Sequence, residues 1–140
     1  LQGRAAIEVV REFDALPASR IDRHRLMEIL VNLIQNAQQA TQDTGVAPRL
    51  VLRVRDLGAG RVRIEVQDNG VGIPADNLAR VFTHGFTTKR TGHGFGLHSS
   101  ANAAREMGGN LTVHSAGPGL GATFALDFTI ATPAMAGVAA

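Results

Sequence analysis

Cysteine is absent from this 140-residue chain. Its absence excludes disulfides and thiolate metal sites, and it agrees with a reducing compartment without requiring one. No apolar run approaches the ~20 residues that span a bilayer, and the start of the chain lacks the basic-then-apolar layout of a signal peptide. Lysine is nearly absent too: of 14 basic residues, only Lys89 is not an arginine. Net charge is +2 with the basic residues scattered, so the concentrated positive footprint of a nucleic-acid binder is missing. What remains, 44% hydrophobic and 19% charged, is the composition of an ordinary globular domain of single-domain length. The first residue is Leu rather than Met, which points to a piece of a longer protein.

Hydrophobic periodicity orders the chain. Residues 6–13 alternate as a strand, with Ile7, Val9 and Phe13 on one side. Asp22 is placed to cap a helix over Arg23 to Thr41, in which Leu26, Ile29, Leu30, Leu33, Ile34 and Ala37 form one apolar stripe. Residues 50–56 and 61–68 alternate around Gly58-Ala59-Gly60 as a hairpin. Their arginines, Arg53, Arg55, Arg61 and Arg63, read as a solvated sheet edge or face. Pro74 suits the first position of a short helix. From Val81 to Gly94 no period is sustained, and a long unpatterned stretch in so small a domain points to function or disorder. A second major helix is predicted from Phe95 to Met107, stopped by Gly108-Gly109. Leu111 and Val113 then mark a strand, and Phe124, Leu126, Phe128 and Ile130 a last one. The domain is expected to occupy residues 1–131, with 132–140 a frayed, flexible tail. This order predicts an α+β fold, a two-layer α/β sandwich whose mixed sheet carries helices on one face.

Four polar or glycine-rich signals do not serve a core. Asn32 and Asn36 are four apart, so they stack on one side of the first helix, roughly 90–130° from the centre of its apolar stripe. Amide oxygens at such a margin suit a Mg²⁺ that keeps most of its waters and takes other oxygens from phosphates. Asp68 keeps phase with Val62, Ile64 and Val66, so its carboxylate points to the core side and needs a donor, such as a purine exocyclic amine. The glycines of Asp68-Asn-Gly-Val-Gly72 permit close approach of a flat ligand. Gly92, Gly94 and Gly96 precede a helix, and freed amides at a helix N-terminus form an anion site. The dinucleotide pattern is rejected, because its third glycine falls on Leu97 or Ser99 and no clear strand leads in. Phe82, Phe86 and Phe95 flank Lys89 and Arg90, which are placed to meet phosphate charge. Each signal alone also has a plainer reading: exposed amides, an Asp-Asn-Gly turn, a surface loop with an apolar anchor.

Together these residues resemble the ATP-binding catalytic domain of sensor histidine kinases, in the Bergerat-fold ATPase superfamily. The resemblance covers about Ile21 to Phe128. Asn32-Leu-Ile-Gln-Asn36-Ala is similar to the N box, Asp68-Asn-Gly-Val-Gly72-Ile to the G1 box, Phe82 to Lys89 to the F box, and Gly92-His-Gly-Phe-Gly96-Leu to the G2 box. Gly119-Leu-Gly121-Ala-Thr-Phe124 resembles the last glycine motif. The resemblance implies a mostly antiparallel sheet and a long ATP lid. It implies that Asn36, helped by Asn32, holds Mg²⁺ against ATP phosphates, and that Asp68 accepts from adenine with Gly70, Gly72 and Ile73 beside the base. Thr87, Thr88 and Lys89 would line the lid. Gly92, His93, Gly94, Phe95, Gly96 and Leu97 would form its phosphate side and the helix start, and Thr123 would support the adenine end.

The implied function is to bind Mg-ATP and present its γ-phosphate to a histidine on a separate helical dimerisation domain, with a response regulator downstream. The family's phosphorylated histidine precedes an acidic residue, whereas His24, His84, His93, His98 and His114 precede Arg, Gly, Gly, Ser and Ser. The acceptor is therefore expected outside this sequence. Hydrolysing branches carry glutamate at the place of Asn32, so hydrolysis should be slow; the same residue argues against a serine kinase of the anti-sigma type. Gln39, His84-Gly85 and Ala122 depart from the commonest family residues, and they leave a degenerate docking module without kinase activity as the alternative. A cytoplasmic location is implied, either free or as the cytoplasmic part of a membrane-bound receptor, with no nucleic-acid or direct membrane contact.

Overall fold

The computed structural model describes residues 6–83 and 96–131. The elements run β1 (Glu8–Phe13), α1 (Arg23–Ala40), β2 (Arg49–Gly58), β3 (Arg61–Asp68), α2 (Ala75–Leu78), α3 (Gly96–Glu106), β4 (Asn110–His114) and β5 (Ala122–Thr129). The strands form one sheet in the order β1-β2-β3-β5-β4. Among the described strands only the β1–β2 pair is parallel; the other three pairs are antiparallel. The parallel pair is joined through α1, as a parallel connection requires a crossover rather than a tight turn.

Each element follows from local chemistry. The Asp22 side chain accepts from the Arg25 N–H at 3.1 Å and so caps α1, while Ile29, Leu33 and Ala37 bury its apolar stripe. The β2–β3 turn carries positive φ at Gly58, Ala59 and Gly60, which supplies the twist a short hairpin needs. Pro74 caps α2 from outside rather than opening its first turn, and that helix has only four residues. The long apolar side chains of β3 and β5 alternate inward: Val62, Val66, Phe124, Leu126 and Phe128 join Ile29, Leu33, Ala101 and Ala104 in one core between sheet and helices. The edge strand β1 is less covered, with Val9 39% and Phe13 57% exposed. None of the helices among the described residues is long and apolar enough to cross a membrane.

The opposite face of the sheet carries the arginines as a charged ladder. Arg53 meets Glu12 at 2.7 Å, Arg55 meets Glu65 at 3.3 Å, and Arg63 meets Asp127 at 2.7 Å. The Arg63 guanidinium grips Asp127 with two hydrogen bonds, from Nε and Nη2. That hydrogen bonding, with a smaller charge attraction, holds the Asp127 carboxyl below the usual value of 3.8. A depressed carboxylate contributes stability above its unfolded pKa and loses it as pH falls through the lower folded value. Because the pair is partly exposed, Asp127→Asn should cost about 0.5–1 kcal/mol at pH 7. The difference should shrink as pH falls below the usual carboxyl range, read by urea unfolding at neutral and at acid pH; an equal cost at both would mean that the ion pair does not contribute.

Candidate functional site

One diagonal stripe of α1 organises the site. Asn32, Asn36 and Ala40 stand at i, i+4 and i+8, so they share one side of the helix. At one end the Asn32 amide nitrogen donates to the Gly96 carbonyl at 3.4 Å and to the Ser100 hydroxyl at 3.0 Å, tying α1 to the first turn of α3. At the other end the Ala40 carbonyl accepts from the Val71 N–H at 2.9 Å, tying α1 to the loop after β3. Half-buried Asn36 lies between these two anchored points. The asparagine side of α1 thus runs from the first turn of α3 to the loop that follows Asp68.

Asp68 closes β3 with its side chain in the helix layer, only 4% exposed. Its Oδ1 accepts from the Gly70 N–H at 2.8 Å. Asn69 fixes the loop from the other side: its Oδ1 accepts from the Arg49 N–H and its Nδ2 donates to the Ala47 carbonyl, both at 2.9 Å. A second loop zips onto this one. Gly119 N–H donates to Val71 O at 2.7 Å and Gly121 N–H to Gly70 O at 3.2 Å. The Ser115 hydroxyl accepts from Ile73 N–H at 3.0 Å and donates to Gly121 O at 2.6 Å.

This packing gives the glycines a reason of its own, beside the ligand approach expected of them. A Cβ on Gly70 would lie 2.1 Å from the Ala40 carbonyl oxygen, and one on Gly72 would lie 2.1 Å from that of Gly117. These glycines are required by approach of the protein's own backbone. Gly72 also has φ 72°, which disfavours a side chain independently.

Three further expected residues are placed. Gly96 opens α3, and the half-buried side chains of Leu97 and Ile73 pack against the core. Thr123 is corrected. Ala122 pairs with Asp68, whereas Thr123 pairs with Gln67 and His114. Alternation therefore turns Thr123 to the open, charged face, and the β5 side chain beside Asp68 is Ala122. Thr87, Thr88, Lys89, Gly92, His93, Gly94 and Phe95 lie outside the described residues, as do Phe86 and Arg90.

Ser100 and Ser115 went unnoticed in the sequence. Ser100 is fully buried at 0% exposure, and a buried hydroxyl needs a partner. Its only sequence trace is a polar residue on the inward face of an otherwise alanine-lined helix. Ser115 had no trace, since its partners come from two loops.

A buried acceptor and a helix N-terminal end are chemically complementary to a hydrogen-bond donor and to anionic oxygens. Asp68 supplies a buried acceptor, and α3 presents its N-terminal end near the asparagine stripe.

Comparison with known proteins gives this geometry a context. The sensor histidine kinase ZraS of Escherichia coli K12 is 42% identical over 113 residues, covering 81% of this chain and 23% of its own length. The aerobic respiration control sensor protein ArcB of the same organism is 40% identical over 122 residues, covering 82% and 15%. The chain thus spans a quarter or less of these relatives. Among solved structures, full-length ShkA in complex with AMPPNP superposes with TM-score 0.79 at 33% identity, over 90% of this chain and 26% of that one. The catalytic domain of histidine kinase ThkA in nucleotide-free form gives TM-score 0.76 at 28% identity, over 92% and 82%. Residues 21–132 match the sequence profile of a family described as histidine kinase-, DNA gyrase B-, and HSP90-like ATPases. The chain therefore belongs to that ATPase family and has the Bergerat fold of histidine kinase catalytic domains.

Proposed function

We propose that this domain binds Mg-ATP and presents the γ-phosphate for transfer to a histidine on a separate helical domain, in a two-component pathway that ends on a response regulator. The observation that carries the reading is the Asp68 carboxylate, 4% exposed and turned toward the helix layer at the end of β3. A carboxylate there accepts from an exocyclic amine, as adenine offers. AMPPNP bound to the related ShkA supports the choice of nucleotide. Asn36, on the stripe between the Asp68 loop and the start of α3, would hold Mg²⁺ through its amide oxygen. The metal would neutralise phosphate charge, and phosphoryl transfer depends mainly on such positioning and charge stabilisation.

Asn32 bears on what the domain does with ATP. Its amide nitrogen is already donated to Gly96 and Ser100. An amide does not take a proton from water at neutral pH, so Asn32 does not act as a general base. This supports retention of ATP for transfer over hydrolysis.

Calorimetric titration of ATP with and without Mg²⁺ tests the reading. The unsubstituted protein should bind ATP more tightly with Mg²⁺, and Asn36→Ala should remove most of that difference. Failure to bind any adenine nucleotide would favour a docking module. A Mg²⁺ dependence that survives in the variant would move the metal to other residues.

A further inference from the structure

We propose that His98 is a positioning residue for nucleotide binding: through one chain of hydrogen bonds it joins α3, at the phosphate side of the proposed pocket, to Phe82 and so to the strand beside Asp68. The proposal rests on the nucleotide-binding reading above.

The chain begins on the outer side of α3. The Arg105 guanidinium donates to the Asn102 carbonyl oxygen. Asn102 Nδ2 lies 3.3 Å from His98 Nε2, and His98 Nδ1 lies 3.0 Å from the Phe82 carbonyl oxygen. These contacts admit one protonation pattern. A backbone carbonyl only accepts, so Nδ1 carries the proton. An amide NH₂ only donates, so Nε2 is bare. The guanidinium only donates, and this fixes which way the Asn102 amide faces. Arg105 therefore orients Asn102, Asn102 selects the His98 tautomer, and His98 holds Phe82.

Phe82 passes the constraint on. Its ring meets Phe124 edge-on, with centroids 6.0 Å apart and planes at 77°. Phe124 lies on β5 two residues from Ala122, which pairs directly with Asp68. On the other side of α3, Asn32 holds Gly96 and Ser100. The first turn of α3 is thus fixed from two directions, by α1 through Asn32 and by the β5 side through His98 and Phe82. A helix N-terminus and a carboxylate that grip opposite ends of one ligand need a set separation, since a small misplacement lowers affinity for both ends at once. No family motif named above assigns His98 a part, and none includes Asn102 or Arg105.

The test is a double-mutant cycle on ATP affinity, with folding followed by circular dichroism. His98→Ala should weaken ATP binding roughly three- to tenfold, the effect of one lost neutral hydrogen bond. Asn102→Ala, which leaves the ring but frees its tautomer, should weaken binding in the same direction. The double variant should be no weaker than His98→Ala alone, because Asn102 acts only through the ring. His98→Gln, whose amide can still donate toward Phe82, should recover part of the loss. Should His98→Ala fail to fold, Asn102→Ala and His98→Gln decide the matter: Asn102→Ala binding ATP like the unsubstituted protein would overturn the proposal. Losses that add independently would also overturn it, leaving the nucleotide reading intact. If the unsubstituted protein binds no ATP, the nucleotide reading falls and this proposal with it.

Discussion

Asp68→Asn is expected to lower ATP affinity by roughly 10- to 100-fold, the effect of losing a hydrogen bond to a charged group, with little change in thermal unfolding. The asymmetry follows from what each carboxylate oxygen does. Oδ1 accepts from the Gly70 N–H at 2.8 Å, and an asparagine carbonyl oxygen can keep that bond. The other position becomes an NH₂ group. Against a purine amine it sets donor against donor in a place with 4% exposure, where water cannot repair the mismatch. Calorimetry reads the affinity and a melting curve reads the fold. Unchanged affinity with a normal melt would mean that Asp68 does not meet the base and would sink the assignment. Lost affinity with a collapsed melt would make the carboxylate a structural group first.

Asp68 is also the residue on which the sequence is most informative. Strict alternation from Val62 through Val66 gives the face of the sheet, and that face is where the carboxylate lies. The same logic gives α1, because an apolar stripe behind an Asp cap is a local signal. It gives the arginines of the open face as well, though not their partners: Glu12 and Arg53 are 41 residues apart. Alternation reports a side, never a neighbour. For that reason β5 could be read as a strand without any sign that it inserts between β3 and β4, and β1 without any sign that it runs parallel to β2. Thr123 shows the limit most clearly. Its place in a glycine-rich motif suggests the pocket, yet in strand register it is one residue out of phase with Ala122, and one residue is enough to turn a side chain through the sheet. Asn32 and Ser100 are 68 residues apart, and no periodicity within α1 or α3 could foretell that contact.

The glycines provide the other large effect, and they separate two reasons for conserving space. Gly121 has φ 70° and Gly108 φ 79°, so an alanine at either pays the left-handed penalty of about 1–2 kcal/mol. Their surroundings differ. Nothing lies within 4 Å of a Cβ built on Gly108, whereas a Cβ on Gly121 falls 2.1 Å from the Asp68 carbonyl oxygen and 3.2 Å from the Asn69 Cα. Both neighbours are backbone, and both belong to the loop that Gly121 zips to Gly70 at 3.2 Å. Relief requires moving one loop off the other, which breaks buried hydrogen bonds and shifts the end of β3. Gly121→Ala should therefore destabilise the ligand-free protein by more than ~4 kcal/mol, in the exceptional range for one substitution, against about 1–2 kcal/mol for Gly108→Ala. Urea unfolding of the two variants side by side reads the difference without any nucleotide present. Similar costs would mean that the two loops part easily. The close approach at Gly121 would then contribute little to the stability of the ligand-free protein.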